Sequence, residues 1–176
     1  PQDPTEFLSQ LAQITSVSGI SEMKTSITRL ADSLYAGQAL QAAGVVGREV
    51  LAPSDSATLQ AGGSIRGAID LPESTQTGVV SVLDDSGALV RTIPLGLHSA
   101  GLANFTWNGT NSAGTTVAPG DYRFVASYQS GEEQIGADTY ITKRVASVAL
   151  GGDGQRTEIT TSDNQKLALS NVRAIF

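Results

Sequence analysis

The chain has 176 residues and a mass of 18.1 kDa, room for one or two compact domains and an appendage. A formal net charge of -6 and a pI near 4.6 argue against nucleic acid as a partner, since nothing here displaces counterions from phosphates, and disfavour an anionic membrane surface. The absence of cysteine removes disulfides, thiolate nucleophiles and cysteine-based metal sites, and leaves the redox compartment open.

Ser, Thr, Gln and charged residues interrupt every apolar run, so no membrane-spanning segment is expected. The chain opens at Pro1 without Met, as a fragment or trimmed chain does, and a removed targeting segment would leave no trace. Residues up to about Gly44 read as helical. Asp3 stands as N-cap, Pro4 at the first helical position and Glu6 three residues after the cap. Phe7, Leu11 and Ile14 follow at helical spacing. Ser18-Gly19 interrupts, and Ile20, Met23, Ile27, Leu30 and Leu34 then recur at alternating three- and four-residue steps, a narrow stripe close to a coiled-coil seam. Gly37 and Gly44 end it. One reading is a helical hairpin packed on its own domain. The other, preferred because the remainder reads as complete β modules, is an exposed helical segment awaiting a partner.

From Val45 onward the signals are those of strands: 47–51, 64–71 with Ile65, Ile69 and Leu71 on one face, 79–83, and 88–93 across an Asp84-Asp85-Ser86-Gly87 turn. Phe105 and Trp107 alternate on a short strand. Asn108-Gly109, Gly114 and Pro119-Gly120 then supply turns before Tyr122 and Phe124 resume the alternation. Strands at 122–128, 140–150, 157–161, 166–169 and 172–176 complete the chain. With aromatics at 5% of the composition, the core must be built mostly from Val, Ile, Leu and Ala. This spacing predicts a β-sandwich in the middle and a small barrel at the end. A small barrel needs about five strands and the tail supplies too few. The strand near Val46–Leu51 fills the gap, which makes the sandwich an insertion into the barrel.

These residues resemble those of the bacterial flagellar hook-capping protein family, also called basal-body rod modification proteins. The opening from Pro1 to Gln13 is similar to the family's N-terminal signature, an Asp and a Glu-Phe followed by Gln-Leu-Ala-Gln. The run Val80–Asp85, Gly87, Val90-Arg91-Thr92, Gly101, Trp107-Asn108-Gly109, Gly114 and Gly120-Asp121-Tyr122 resembles its immunoglobulin-like domain. Asn108 stands where the family usually has Asp, a change that keeps the turn. The tail, with Gly151-Gly152-Asp153-Gly154 and Leu169–Ile175, is similar to its Tudor-like barrel.

The resemblance implies a mainly β chain with N-terminal α structure. In it, an immunoglobulin-like, or fibronectin type III-like, sandwich at 61–137 interrupts a Tudor-like (SH3-like) barrel formed by 45–60 and 138–176, after a helical assembly segment at 1–44. It further implies a non-enzymatic scaffold, exported by the flagellar type III apparatus, forming a homo-oligomeric cap of five copies at the distal end of the growing hook. There it would promote the assembly of hook protein subunits, without cofactor, nucleic acid or membrane. Partner-binding residues are expected along the stripe Phe7, Leu11, Ile14, Met23, Ile27, Leu30 and Leu34.

Chemistry-bearing motifs are weak elsewhere. His98 is the sole histidine and reads as a solvated residue of a Gly-rich loop, without partners for catalysis or metal binding. Asp84-Asp85 lacks the calcium-loop pattern and is explained by its turn. Gly151–Gly154 matches a calcium-binding nonapeptide only once, where stacked repeats are needed. Asn104 and Asn108 each begin a glycosylation triplet, which is accidental in a bacterial flagellar part. Trp107 and Tyr122 could stack on a sugar, and a surface adhesin or carbohydrate-binding sandwich is therefore the competing function; a core role for both, with Tyr122 forming a tyrosine corner, is the stronger expectation. No nucleophile–base pair, carboxylate pair or phosphate loop assembles from the motifs.

Overall fold

A computed structural model of the chain describes residues 4–150 and 157–176, in two units, Pro1–Gly44 and Val45–Phe176. The expected N-cap Asp3 and the Gly151–Gly154 turn lie outside the described residues.

The first unit is one α-helix, α1 (Pro4–Ala43), of 40 residues and therefore about 60 Å long. The interruption expected at Ser18-Gly19 is absent, and Gly37 does not end the helix; only Gly44 lies beyond it. A glycine inside an exposed helix costs about 1 kcal/mol, a penalty that weakens but does not break a segment with no proline after its first turn. The hydroxyl residues stay helical by satisfying themselves locally. Thr15 and Ser16 donate to the carbonyls of Leu11 and Ala12, each at 2.8 Å. Thr25 does so to Ser21 at 2.9 Å and Thr28 to Lys24 at 3.0 Å.

Among its described residues, the regular structure of the second unit is β apart from one 3-10 turn at Leu169–Asn171. Its strands are β1 (Glu49–Pro53), β2 (Ser56–Leu59), β3 (Ile65–Leu71), β4 (Thr75–Leu83), β5 (Leu89–His98), β6 (Gly101–Trp107), β7 (Gly120–Ser130), β8 (Glu133–Ala149), β9 (Glu158–Thr161), β10 (Lys166–Ala168) and β11 (Ala174–Ile175). Antiparallel pairing joins β2–β7–β4–β5 on one side and β6–β3–β8–β1 on the other. Between them lies a core of Ile69, Leu71, Val80, Val82, Phe105, Trp107, Phe124 and Ile141. Gly67 on β3 makes this packing possible: a Cβ there would meet the Phe105 ring at 2.6 Å and the Tyr140 carbonyl at 2.5 Å.

Strand β8 organises the unit. Its 17 residues pair first with β7, then with β3 and β1, and finally with β9. Strands β11–β1–β8–β9–β10 form a second array around Val45, Val50, Ala52, Val145 and Ile159. In this array β1 pairs antiparallel with both β8 and β11. The two arrays meet at Leu51, Ala68 and Tyr140. There the Arg173 guanidinium sits 5.3 Å from the Tyr140 ring centroid and donates to Asp70 at 2.7 Å, while Arg66 pairs with Glu49. A shared strand, a shared apolar patch and two ion pairs leave no linker at which these arrays could hinge.

The second array also holds a buried cation. The Lys143 side chain, only 8% exposed, donates to Asp163 and to the Gln165 side chain, each at 2.7 Å. Asp163 also accepts from the Thr161 hydroxyl. Partial burial pushes the Asp163 pKa up, but the hydrogen bonds from Lys143 and Thr161 with the Lys143 charge outweigh it and hold the carboxyl below its ordinary value.

Candidate functional site

The expected partner-binding residues Phe7, Leu11, Ile14, Met23, Ile27, Leu30 and Leu34 all lie on α1, each more than half exposed. Leu8, Val17 and Ile20 are exposed to the same degree. Exposed single apolar side chains are unremarkable; here they follow one another along a single helix. Its charge content is low: from Phe7 to Ala43 the charged residues are Glu22, Lys24, Arg29 and Asp32, two of each sign.

Because α1 is continuous, the stripe is not one seam. At about 100° per residue, Phe7, Leu11 and Ile14 cluster on one face, and Ile20, Met23, Ile27, Leu30 and Leu34 cluster on a face roughly opposite. The crossover occurs over Leu11, Ile14, Val17, Ile20 and Met23, spaced uniformly by three residues. Each three-residue step turns the side chain back by about 60°, where a four-residue step would advance it by about 40°. An expected break at Ser18-Gly19 conceals this geometry, because two separate helices could each turn their stripe the same way. The uniform three-residue spacing was the available signal.

The aromatic residues do the opposite of the helix residues. Trp107 and Tyr122 pack edge to face with centroids 4.6 Å apart, and Phe124 lies 6.1 Å from Trp107 and 5.6 Å from Phe105. Trp107 and Tyr122 are buried, so neither ring offers a face for a sugar. Their polar atoms are used internally. Trp107 Nε1 donates to the Thr110 carbonyl at 2.8 Å, and the Tyr122 hydroxyl donates to the Ala118 carbonyl at 2.7 Å, the local bond of a tyrosine corner.

Against known proteins, residues 54–132 match the model of the FlgD Ig-like domain. Over 169 residues the chain is 32% identical to the basal-body rod modification protein FlgD of Escherichia coli K12, an alignment covering 92% of this chain and 73% of that relative. The chain belongs to the FlgD family. FlgD of Salmonella typhimurium LT2 is 31% identical over 175 residues, covering 91% of this chain and 75% of its own. Among solved structures, FlgD of P. aeruginosa superposes with a TM-score of 0.64 at 32% identity, covering 75% of this chain and 98% of that one. FlgD of Xanthomonas campestris, described as giving insight into the hook capping essential for flagellar assembly, gives 0.67 at 27% identity, with 79% and 99% covered.

The remaining candidates resolve within the β unit. The Asp84 carboxylate accepts from the Ser86 amide and the Ala88 amide, both at 2.9 Å, and from the Ser86 hydroxyl at 2.6 Å. The Ser86 side-chain bond, followed by the Ala88 amide, holds its pKa below the ordinary value. It is the cap of its own turn. Gly87 occupies the left-handed region there, with φ +82°. His98 is not a solvated loop residue as expected: it ends β5, is half-buried, and its buried Nδ1 has no hydrogen-bond partner among the described residues. Thr75 stands opposite it in the β4–β5 ladder. Among the described residues, no group of His, Asp and Glu is arranged to hold a metal ion. Asn104 lies within β6, and Asn108 in the turn after it accepts from the Thr110 hydroxyl at 2.8 Å.

Proposed function

We propose that this chain is a hook-cap scaffold: copies of it sit at the distal end of the growing flagellar hook and promote assembly of hook protein subunits. Membership of the FlgD family supports the hook as its place of work. The observation that carries the scaffold role is α1, a helix whose apolar side chains are exposed along its length, in a chain whose β unit encloses Trp107, Phe105, Phe124, Ile69 and Ile141 in its own core. A surface of that kind gains free energy only when another molecule covers it, at roughly 25 cal/mol per Å² of apolar area. The residues Phe7, Leu11, Ile14, Met23, Ile27, Leu30 and Leu34 are the docking positions, and their partners are other copies in a homo-oligomeric cap and the hook subunits. The chain reaches that site by export through the flagellar type III apparatus, and it works there as a scaffold and not by catalysis.

In this reading residues 1–44 are the assembly segment. Residues 61–137 are an immunoglobulin-like sandwich inserted between 45–60 and 138–176 of a Tudor-like barrel. The sheet pairings and the shared strand β8 support that division.

The test is complementation of a strain lacking its own FlgD, using the chain in its full-length setting with Ile27→Glu and Leu30→Glu together. Loss of hooks and of swimming, with the variant still made and folded, is expected. Normal hook growth with both substitutions contradicts the assignment. A surface adhesin would predict intact swimming even when the gene is deleted.

A further inference from the structure

The turn after β6 carries a reactive pair, Asn108-Gly109. A backbone nitrogen that follows an asparagine can add to the asparagine side chain, and a glycine leaves that nitrogen unshielded. The fold requires glycine here: Gly109 has φ +72°, and a Cβ on it would meet the Leu59 side chain at 3.0 Å. The Gly109 carbonyl accepts from the Val117 amide at 2.9 Å, but its own amide has no acceptor among the described residues. Asn108 is exposed, so water reaches its side chain.

We propose that Asn108 is a self-modification site, at which the chain converts its own asparagine to aspartate and isoaspartate with help from Thr110 and Arg91. The Gly109 N–H proton passes to hydroxide, and the nitrogen attacks the Asn108 side-chain carbon to form a new C–N bond. The side-chain nitrogen takes a proton from water and leaves as ammonia, which closes a cyclic imide. Water then opens the imide at either carbonyl, giving Asp or its isomer with the backbone routed through the side-chain carbon. One water is consumed and one ammonia released, with no change of oxidation state.

The neighbouring groups are placed to assist. The Thr110 hydroxyl donates to Asn108 Oδ1 at 2.8 Å, the oxygen that becomes anionic as the nitrogen adds. Arg91 in turn donates to Thr110 Oγ1, and to the Asn111 carbonyl at 3.2 Å, so a cation stands directly behind the donor. Thr110 touches a reacting atom; Arg91 acts through it as a positioning residue. Asn111-Ser112, in the same loop, is held in the opposite way. Asn111 Oδ1 accepts from the Ala113 and Thr115 amides at 3.0 and 2.9 Å, and the Ser112 amide that would attack donates to the Val90 carbonyl at 3.1 Å. Breaking these bonds first should slow Asn111 by roughly a hundredfold.

The change matters because no Asp, Glu, Lys or Arg lies between Thr92 and Gly120. Conversion puts a carboxylate into that uncharged stretch, one hydroxyl away from Arg91. The isomerised product also lengthens the backbone between Trp107 and Thr110, whose carbonyl accepts from Trp107 Nε1 at 2.8 Å. The turn therefore ages at a rate set by its own residues, whatever the chain assembles with.

The experiment is incubation of the complete chain in mildly alkaline buffer, with peptide mapping by mass spectrometry that separates Asp from isoaspartate, and Trp107 fluorescence reporting the fold. Asn108 should convert first, roughly a hundredfold ahead of Asn111. Thr110→Val should slow it by roughly tenfold or more, and Thr110→Ser should keep the wild-type rate. Arg91→Gln should slow it less, and Arg91→Lys should restore part of the loss. Asn108→Gln should abolish the conversion at this position. No conversion at Asn108, conversion of Asn111 at an equal rate, or an unchanged rate in a folded Thr110→Val variant overturns the proposal. Should Thr110→Val lose the native Trp107 emission, an unchanged rate in Arg91→Gln overturns it instead.

Discussion

The helix and the β unit solve the same problem in opposite ways. In the β unit, Trp107, Phe124, Ile69 and Ile141 are enclosed, and the polar atoms of Trp107 and Tyr122 find carbonyls within the same module. In α1, Phe7, Ile14, Ile20, Ile27 and Leu34 stay in contact with solvent, and four Ser and Thr side chains turn back onto the helix's own carbonyls. The β unit holds its shape from internal packing. The second kind of surface has its free-energy gain still to come. A chain that must be stable as one piece and sticky as many copies can divide those tasks between two regions, and here the division falls at Gly44.

Substitutions should separate the two regions cleanly. The largest effect is expected from Trp107→Ala, which removes a buried indole and its hydrogen bond and should cost about 3–5 kcal/mol in denaturant unfolding of the β unit. The next is Asp163→Asn, which leaves the buried Lys143 with a weaker partner and should cost about 2 kcal/mol at neutral pH. The folded state lowers the Asp163 pKa, so its contribution is present above the ordinary carboxylate range and is lost as pH falls through the folded value. Stability measured downward from about pH 4 should therefore fall less steeply in Asp163→Asn than in wild type. Equal slopes would show that the pair contributes nothing.

Tyr122→Phe should lower the midpoint by an amount worth about 1 kcal/mol, the loss of the bond to the Ala118 carbonyl. An unchanged midpoint would remove the tyrosine corner from the account. The smallest effect on stability, within about 0.5 kcal/mol, belongs to Ile27→Glu with Leu30→Glu, because neither side chain is buried. The same pair should have the largest effect on assembly. That inversion of order is the sharpest expression of the contrast.

Much of this was legible in the residues. Alternation at Phe105/Trp107 and Tyr122/Phe124 placed two core strands, and Asp84–Gly87 placed a hairpin, because side-chain period and turn chemistry are local properties. β2 and the first part of β8 were not legible. Ser56-Ala57-Thr58-Leu59 and Glu133-Gln134-Ile135-Gly136 are short, polar or glycine-bearing, and become strands through pairing with β7 rather than through their own preference. On the helix, Ser18-Gly19 and Gly37 looked like stops because glycine is a poor helix former, yet one unfavourable residue does not outweigh the turns on either side. Taking the helix as broken also hid the change of face at Val17.

The most direct measurement is amide hydrogen exchange along the whole chain, in dilute monomer and in the assembled state. Amides of β3, β4, β7 and the middle of β8 should be protected equally in both. Those from about Leu11 to Leu34 should exchange quickly in the monomer and become protected on assembly. A helix as protected in the dilute monomer as in the assembly would mean that its apolar faces are already satisfied within one chain, and the division of labour described here would be wrong.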